Sequence, residues 1–253
     1  MRAVRLCMLA LALGAAVFGC RKQQTGTQTA GTGPAEGTGK ETAMGITIQW
    51  LGHASFRIRH EDQVIYIDPW KLKDSPHDAT LVLVSHSHYD HYSPDDIARV
   101  SGPDTKLVAP PDVVAKQKAG EAILPGLTVE LENVRLTGVA AYNPDKQFHP
   151  KGNNWVGFVI ELGSKRLYYA GDTDLTTEMK ALKGIDVAML PVGGTYTMDA
   201  AAAAEAIKYI KPKVAIPYHW GDIVGSHSDA ETFAKTAECN VKVLTPGQTL
   251  NIE

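Results

Sequence analysis

The sequence predicts an α/β chain in which two packed β-sheets are covered on their outer faces by helices. Three observations predict it: short apolar strands alternate with helical patterns, the strands cluster in two halves, and four of them finish on a carboxylate or an imidazole. The 209 residues that follow position 44 are enough for one domain with a sizeable core.

In chain order, Ile46 to Leu51 and Phe56 to Arg59 alternate with period two, the pattern of half-buried strands. Val64-Ile65-Tyr66-Ile67 and Leu81-Val82-Leu83-Val84 are continuous apolar runs, as in strands buried on both faces. Ser93-Pro94-Asp95-Asp96 supplies a cap, a proline at the first helical position and an acid behind it, so a helix is expected to about Val100. Helical patterns recur at 111–120, 176–183, 198–210 and 228–237. Trp155 to Leu162 and Lys165 to Ala170 flank Gly163-Ser164 as a hairpin, and 185–192, 214–218 and 241–244 read as further strands.

The first 44 residues differ in character from the rest. Arg2 and Arg5 precede an uncharged run from Leu6 to Phe18, too short to span a bilayer and of the length of a signal-peptide core. Residues 1–19 are therefore expected to be a signal segment of lipoprotein type. Val17-Phe18-Gly19-Cys20 resembles the lipobox of bacterial lipoproteins, in which the cysteine is acylated, although Phe18 departs from the usual small or aliphatic residue. Residues 20–44, rich in Gly, Thr, Gln and Ala, bury too little apolar surface to offset their ordering entropy and read as a flexible linker. The expectation is an exported protein held at the cell envelope or periplasm by a lipid at Cys20, with soluble secretion as the alternative.

Charge follows the same division. The chain has a formal net charge of -3, but residues 1–44 hold five basic residues against Glu36 and Glu41, so positions 45–253 carry 20 basic and 26 acidic residues, a net of -6. Such a body gives no basic field for a nucleic-acid backbone, and no nucleic-acid partner is expected. Cys7 falls in the leader and Cys20 at the lipid site, which leaves Cys239 as a buried apolar residue in a helical stretch, with no partner for a disulfide.

The chemistry concentrates where strands end. Ile67 runs into Asp68, Ser85 into His86, Gly171 into Asp172 and Tyr218 into His219. Charged tips do not serve a core, whereas a site built from loops at one edge of a sheet needs them. The densest segment is His86-Ser87-His88-Tyr89-Asp90-His91, four metal-ligand types in six residues. In extended chain His86 and His88 project to one side, and a turn can swing Asp90 and His91 toward a second position, so one segment can serve two adjacent ions.

His86-x-His88-x-Asp90-His91, preceded by Asp68 and followed by a remote histidine, Asp172 and His219, resembles the signature of the metallo-β-lactamase-fold hydrolases. Trp50-Leu51-Gly52-His53-Ala54-Ser55-Phe56, Ala170-Gly171-Asp172-Thr173, the segment from Pro191 to Met198 and Pro217-Tyr218-His219 resemble the branch of L-ascorbate-6-phosphate lactonase-like proteins and N-acyl-phosphatidylethanolamine phospholipase D. The resemblance runs from about Ile46 to Glu253 and implies an αββα sandwich, two mixed sheets flanked by helices, over residues 45–253. It implies one ion on His86, His88 and a third histidine, a second on Asp90, His91 and His219, and Asp172 between them. By its place in the order, His149 is the third histidine, although its proline-bounded loop shows no rigid local motif. Asp68 and His53 are expected behind the ligands, with Asp68 accepting the outer N-H of a ligand histidine. His60, His77 and His227 lie in turns or polar loops and receive no role.

The implied activity is a metal-dependent hydrolase whose dinuclear centre delivers hydroxide to an electrophilic carbonyl or phosphorus, with Asp90 accepting or relaying the proton. The nitrogen and carboxylate donors suit two divalent ions, Zn(II) first, with Mn(II) or Fe(II) as alternatives. The expected substrates are small or lipid-derived molecules, a phosphodiester or a lactone or amide. Tyr89, Tyr196, Trp155 and Trp220 are candidate pocket walls. A non-catalytic, lipid-anchored metal-binding protein is the competing reading.

Overall fold

The computed structural model describes residues 45–253. The expected signal segment, the linker and the acylated Cys20 lie outside the described residues.

The period-two and all-apolar runs become strands β1 (Ile46–Gly52), β2 (Ser55–His60), β3 (Gln63–Ile67) and β4 (Ala79–Leu83). Helix α1 (Pro94–Val100) starts where the sequence places it: the Ser93 hydroxyl accepts from the Asp96 amide, and Pro94 occupies the first turn, where no amide is required. It leads to β5 (Ser101–Ala109), α2 (Pro111–Gln117) and β6 (Glu121–Ala122). The second half contains β7 (Thr128–Leu131), β8 (Val134–Ala140), β9 (Val156–Leu162), β10 (Lys165–Tyr169), α3 (Thr177–Lys180), β11 (Val187–Pro191), α4 (Ala200–Ile210), β12 (Val214–Tyr218), α5 (His227–Thr236) and β13 (Asn240–Val241). The chain ends with β14 (Thr249–Ile252), which returns to β1 and pairs Ile252 with Ile46.

Two seven-stranded sheets result, ordered β14-β1-β2-β3-β4-β5-β6 and β13-β12-β11-β10-β9-β8-β7. Each is mixed in the same way: antiparallel pairs build one part and crossovers, helical except between β3 and β4, build a parallel part, β3 to β6 in the first sheet and β10 to β13 in the second. The main core joins the sheets; Phe56 meets both Tyr169 and Tyr218 edge to face, at 6.0 and 5.6 Å between ring centroids. Strand β4 is buried on both faces: Leu81 and Leu83 enter that core, while Val82 and Val84 join Ile97, Val100 and Val113 beneath α1 and α2. This is the expected αββα arrangement.

Several boundaries differ from expectation. Helix α2 stops at Gln117 because Lys118 turns left-handed and closes it. Helix α3 has one turn rather than two, and Asp199 caps α4 rather than belonging to it. Cys239 lies beyond the end of α5 and is half-buried against the core edge, not enclosed in a helix. The strand expected at 241–244 shrinks to Asn240–Val241. His60 closes β2 opposite Gln63, and Glu61 and Asp62 make the turn.

Candidate metal centre

Parallel strands all point their carboxyl ends the same way, so the residues after β3, β4, β10 and β12 gather at one edge of the sandwich. Asp68 follows β3, the His86–His91 segment follows β4, Asp172 follows β10 and His219 follows β12. The chain bends sharply there: His53, Asp68 and His219 have left-handed φ of 47°, 45° and 62°, a conformation that side chains adopt at a cost and that the surrounding packing enforces.

Two clusters of ligating atoms form. His86, His88 and His149 make one, and His53, Asp90, His91 and His219 make the other. Asp172 stands between them, with one oxygen 3.1 Å from His219 Nε2 and 3.4 Å from His149 Nε2, and the other 3.3 Å from His91 Nε2. The structure therefore brings all seven sequence-nominated ligand residues into one place. The second cluster also takes in His53, whose Nε2 lies 3.0 Å from Asp90 Oδ2.

Behind the clusters, hydrogen bonds fix which ring nitrogen faces inward. Asp68 is fully buried; its carboxylate accepts from His91 Nδ1 at 2.7 Å, from the Ser85 hydroxyl at 2.5 Å, from the Ser85 amide at 2.7 Å and from the Tyr169 hydroxyl at 2.6 Å. Because the Ser85 hydroxyl donates to Asp68, its oxygen accepts from His86 Nδ1 at 2.9 Å. One carboxylate thus orients an imidazole in each cluster. Asn143 does the same for His149: its side-chain oxygen accepts from His149 Nδ1 at 2.8 Å and from the His149 amide at 3.1 Å, and the Asn143 amide donates to the His149 carbonyl. The loop that shows no local motif in sequence is clamped by this asparagine.

The electrostatics follow from the same packing. Burial pushes His86 well below the ordinary imidazole range and takes His149 down to about 4, so both rings stay neutral at neutral pH. Burial opposes charge on His91 too, but the attraction of Asp172 and the bond to Asp68 outweigh it and hold this ring well above that range. Burial raises Asp90 and Asp172, yet the His53 hydrogen bond and the His91 charge bring Asp90 to about 2, and the His219 and His91 imidazoles hold Asp172 well below the usual carboxylate range.

Buried polar atoms without partners show what such a site is fit to hold. His91 Nε2, His149 Nε2, His219 Nε2 and one oxygen of Asp172 are buried and make no hydrogen bond. Leaving even one such atom unpaired is costly, and several converging on one spot match the donors of bound cations. All are nitrogen or carboxylate oxygen, which divalent first-row metals accept.

Sequence reasoning missed Ser85, Asn143, Tyr169 and Tyr218. The last two stack at 5.0 Å beneath the site; Tyr218 donates to the Gly171 carbonyl at 2.6 Å, next to Asp172. For Ser85, Tyr169 and Tyr218 the available signal was a position one to three residues before an acid or imidazole; Asn143, six residues before His149, had none. Of the nominated wall residues, Trp155 packs against His86, His88 and His149, and Tyr89 is exposed. Tyr196 meets Phe148, and Trp220 lines a cavity beside His53.

Comparison with known proteins places these features in context. A family model described as a beta-lactamase superfamily domain matches residues 47–219. The chain is 35% identical to a UPF0173 metal-dependent hydrolase of Symbiobacterium thermophilum, over 82% of this chain and all of that one. It is 34% identical to a UPF0173 metal-dependent hydrolase of Thermoplasma acidophilum, over 76% and 91% of the two chains. Among solved structures it resembles a candidate metal-dependent hydrolase of Parabacteroides distasonis, at 29% identity and a TM-score of 0.70, covering 80% of this chain and 94% of that one.

Proposed function

The chain belongs to the beta-lactamase superfamily and, within it, to the UPF0173 metal-dependent hydrolases, and from that premise we propose that it hydrolyses a small or lipid-derived phosphodiester, lactone or amide at a pair of divalent cations. The observation that carries this reading is the position of Asp172, within 3.1 to 3.4 Å of imidazoles from both clusters. In this reading His86, His88 and His149 would hold one cation and Asp90, His91 and His219 the other, with Asp172 within reach of both groups. The all-nitrogen and oxygen donor set favours Zn(II), with Mn(II) and Fe(II) as competitors.

Bound there, the cations supply Lewis acidity that polarises the scissile carbonyl or phosphoryl group and acidifies water. The residues supply position and proton transfer. Asp90, ionised at neutral pH, relays the proton of the attacking water onward, because a carboxyl held down to about 2 is too weak a base to keep it; His53, hydrogen-bonded to it, fixes its orientation. Asp68 holds His91 directly and His86 through Ser85, so that Nε2 of both rings faces the cations. Trp155 packs against His86 and His149 on one side.

A panel of generic phosphodiesters, lactones and β-lactams, assayed with added Zn(II) or Mn(II), tests this proposal. Metal-dependent turnover of one class is expected, and none on any class by protein carrying its full complement of ions would contradict it. We also propose export and a lipid anchor at Cys20, on the strength of the leader and Val17-Phe18-Gly19-Cys20. Palmitate labelling that is lost in Cys20→Ser would support the anchor, and unlabelled wild type would refute it.

A further inference from the structure

Beside the candidate metal centre lies a cavity of about 360 Å³, within the size range of small-ligand pockets. Its walls come from segments far apart in sequence: Trp50 at the end of β1, Trp70 and Lys71 after β3, and Trp220 and Asp222 after β12. Three of the four tryptophans of the chain line it.

Two of these indoles are buried and the third is open. Trp50 and Trp220 are nearly fully buried, with ring centroids 4.7 Å apart and planes inclined at 40°. Trp50 Nε1 already donates to the His53 carbonyl and Trp220 Nε1 to the Pro217 carbonyl. Trp70, half-buried at the rim, has its ring 5.0 Å from that of His53. The rim is neutral as a pair: Lys71 Nζ lies 2.9 Å from Asp222 and 4.2 Å from the centre of the Trp70 ring. The two charges cancel, so the rim carries no net charge.

His53 joins the cavity to the candidate metal centre. It lines the cavity, its Nε2 is engaged with Asp90, and its buried Nδ1 has no hydrogen-bond partner. The cavity therefore combines one open indole, Trp70, beside two buried ones with a rim of no net charge. Tilted indole faces favour a flat ring over a flexible chain, because aromatic pairs gain from offset and edge contacts.

We propose that this cavity is the specificity pocket for an uncharged aromatic group on the substrate, seated against Trp70. This rests on the hydrolytic reading of the neighbouring centre, whereas the binding step itself requires no metal. Benzyl alcohol is a suitable probe, its binding followed by the indole N-H resonances of Trp50 and Trp220 in full-length protein, both metal-free and metal-loaded.

Saturable shifts are expected in both forms, with an affinity roughly tenfold above that for propan-1-ol, about the value of one well-made ring contact. Trp70→Ala should weaken binding by about tenfold, and Trp70→Phe should restore it to within about twofold. Absence of saturable shifts, no preference over propan-1-ol, or an affinity unaltered in a folded Trp70→Ala protein would overturn the pocket. The wild-type comparison of the two alcohols decides the matter if the variants do not fold. Saturable binding by metal-loaded protein that hydrolyses nothing would instead remove the hydrolytic reading and, with it, the role assigned to the pocket.

Discussion

Asp172 Oδ2 lies 3.1 Å from His219 Nε2, although 46 residues and two helices separate the two in the chain. The pairing follows from parallel strands: β10, β11 and β12 run side by side, so the residues just beyond β10 and β12 emerge at one edge. His149 Nε2 lies 3.4 Å from the same oxygen and His91 Nε2 3.3 Å from the other, which makes Asp172 the residue on which both clusters converge.

Asp172→Asn preserves shape and removes charge. It should release at least one bound ion and reduce turnover by about 10² or more, because Asp90, the other carboxylate at the site, approaches His91 and His219 but not His149. Metal analysis with steady-state kinetics checks this; unchanged content and rate would disprove the role given to Asp172.

Asp68 should act through orientation rather than contact. Asp68→Asn replaces an acceptor for four hydrogen bonds in a fully buried position, and is expected to weaken metal binding by about 10 to 100-fold while also lowering Tm. Tyr169→Phe, which removes only one of those donors, should cost less on both counts. Competition with a chromophoric chelator gives the affinities.

Gly193 is a spacing requirement written into the backbone. A Cβ there would stand 2.2 Å from the His219 carbonyl oxygen, which is backbone and cannot rotate away. Gly193→Ala should therefore displace His219, costing metal and activity together, while Gly152→Ala, which meets nothing, should leave both intact. Equal behaviour of the two variants would exclude this account of Gly193.

Acid sensitivity should have a traceable component at Asp186, just ahead of β11. Burial opposes its charge, but Lys213 and the Arg166 amide outweigh that and hold its carboxyl below the usual range. A lowered carboxyl pKa stabilises the fold at pH values above the unfolded-state pKa of about 4, and that stability is lost as pH falls through the folded value. Asp186→Asn should lower Tm at neutral pH and reduce the fall in Tm between about pH 5 and pH 3. A variant with the wild-type pH profile would show that Asp186 contributes nothing.

Legibility in the sequence followed locality. His86 to His91 form one short run, and Asp68, Asp172 and His219 each sit at the tip of an apolar strand, so period and composition alone mark them. Strand β5 escaped because Gly102-Pro103-Asp104 reads as a turn, and only its last residues, Val108 and Ala109, are buried. The β7–β8 hairpin does alternate, with Val129, Val134 and Leu136 inward, but Glu130 and Glu132-Asn133 interrupt any apolar run. Contacts made only by topology left no local trace: β14 closing onto β1, Asn143 clamping His149, and three tryptophans spread over 170 residues meeting around one cavity.

The central claim is that two clusters sharing Asp172 hold two cations, and metal analysis of the purified, reconstituted protein tests it most directly. The account predicts close to two divalent ions per chain in the wild type, falling to one or none in Asp172→Asn; a wild type that retains no ion after reconstitution would contradict it.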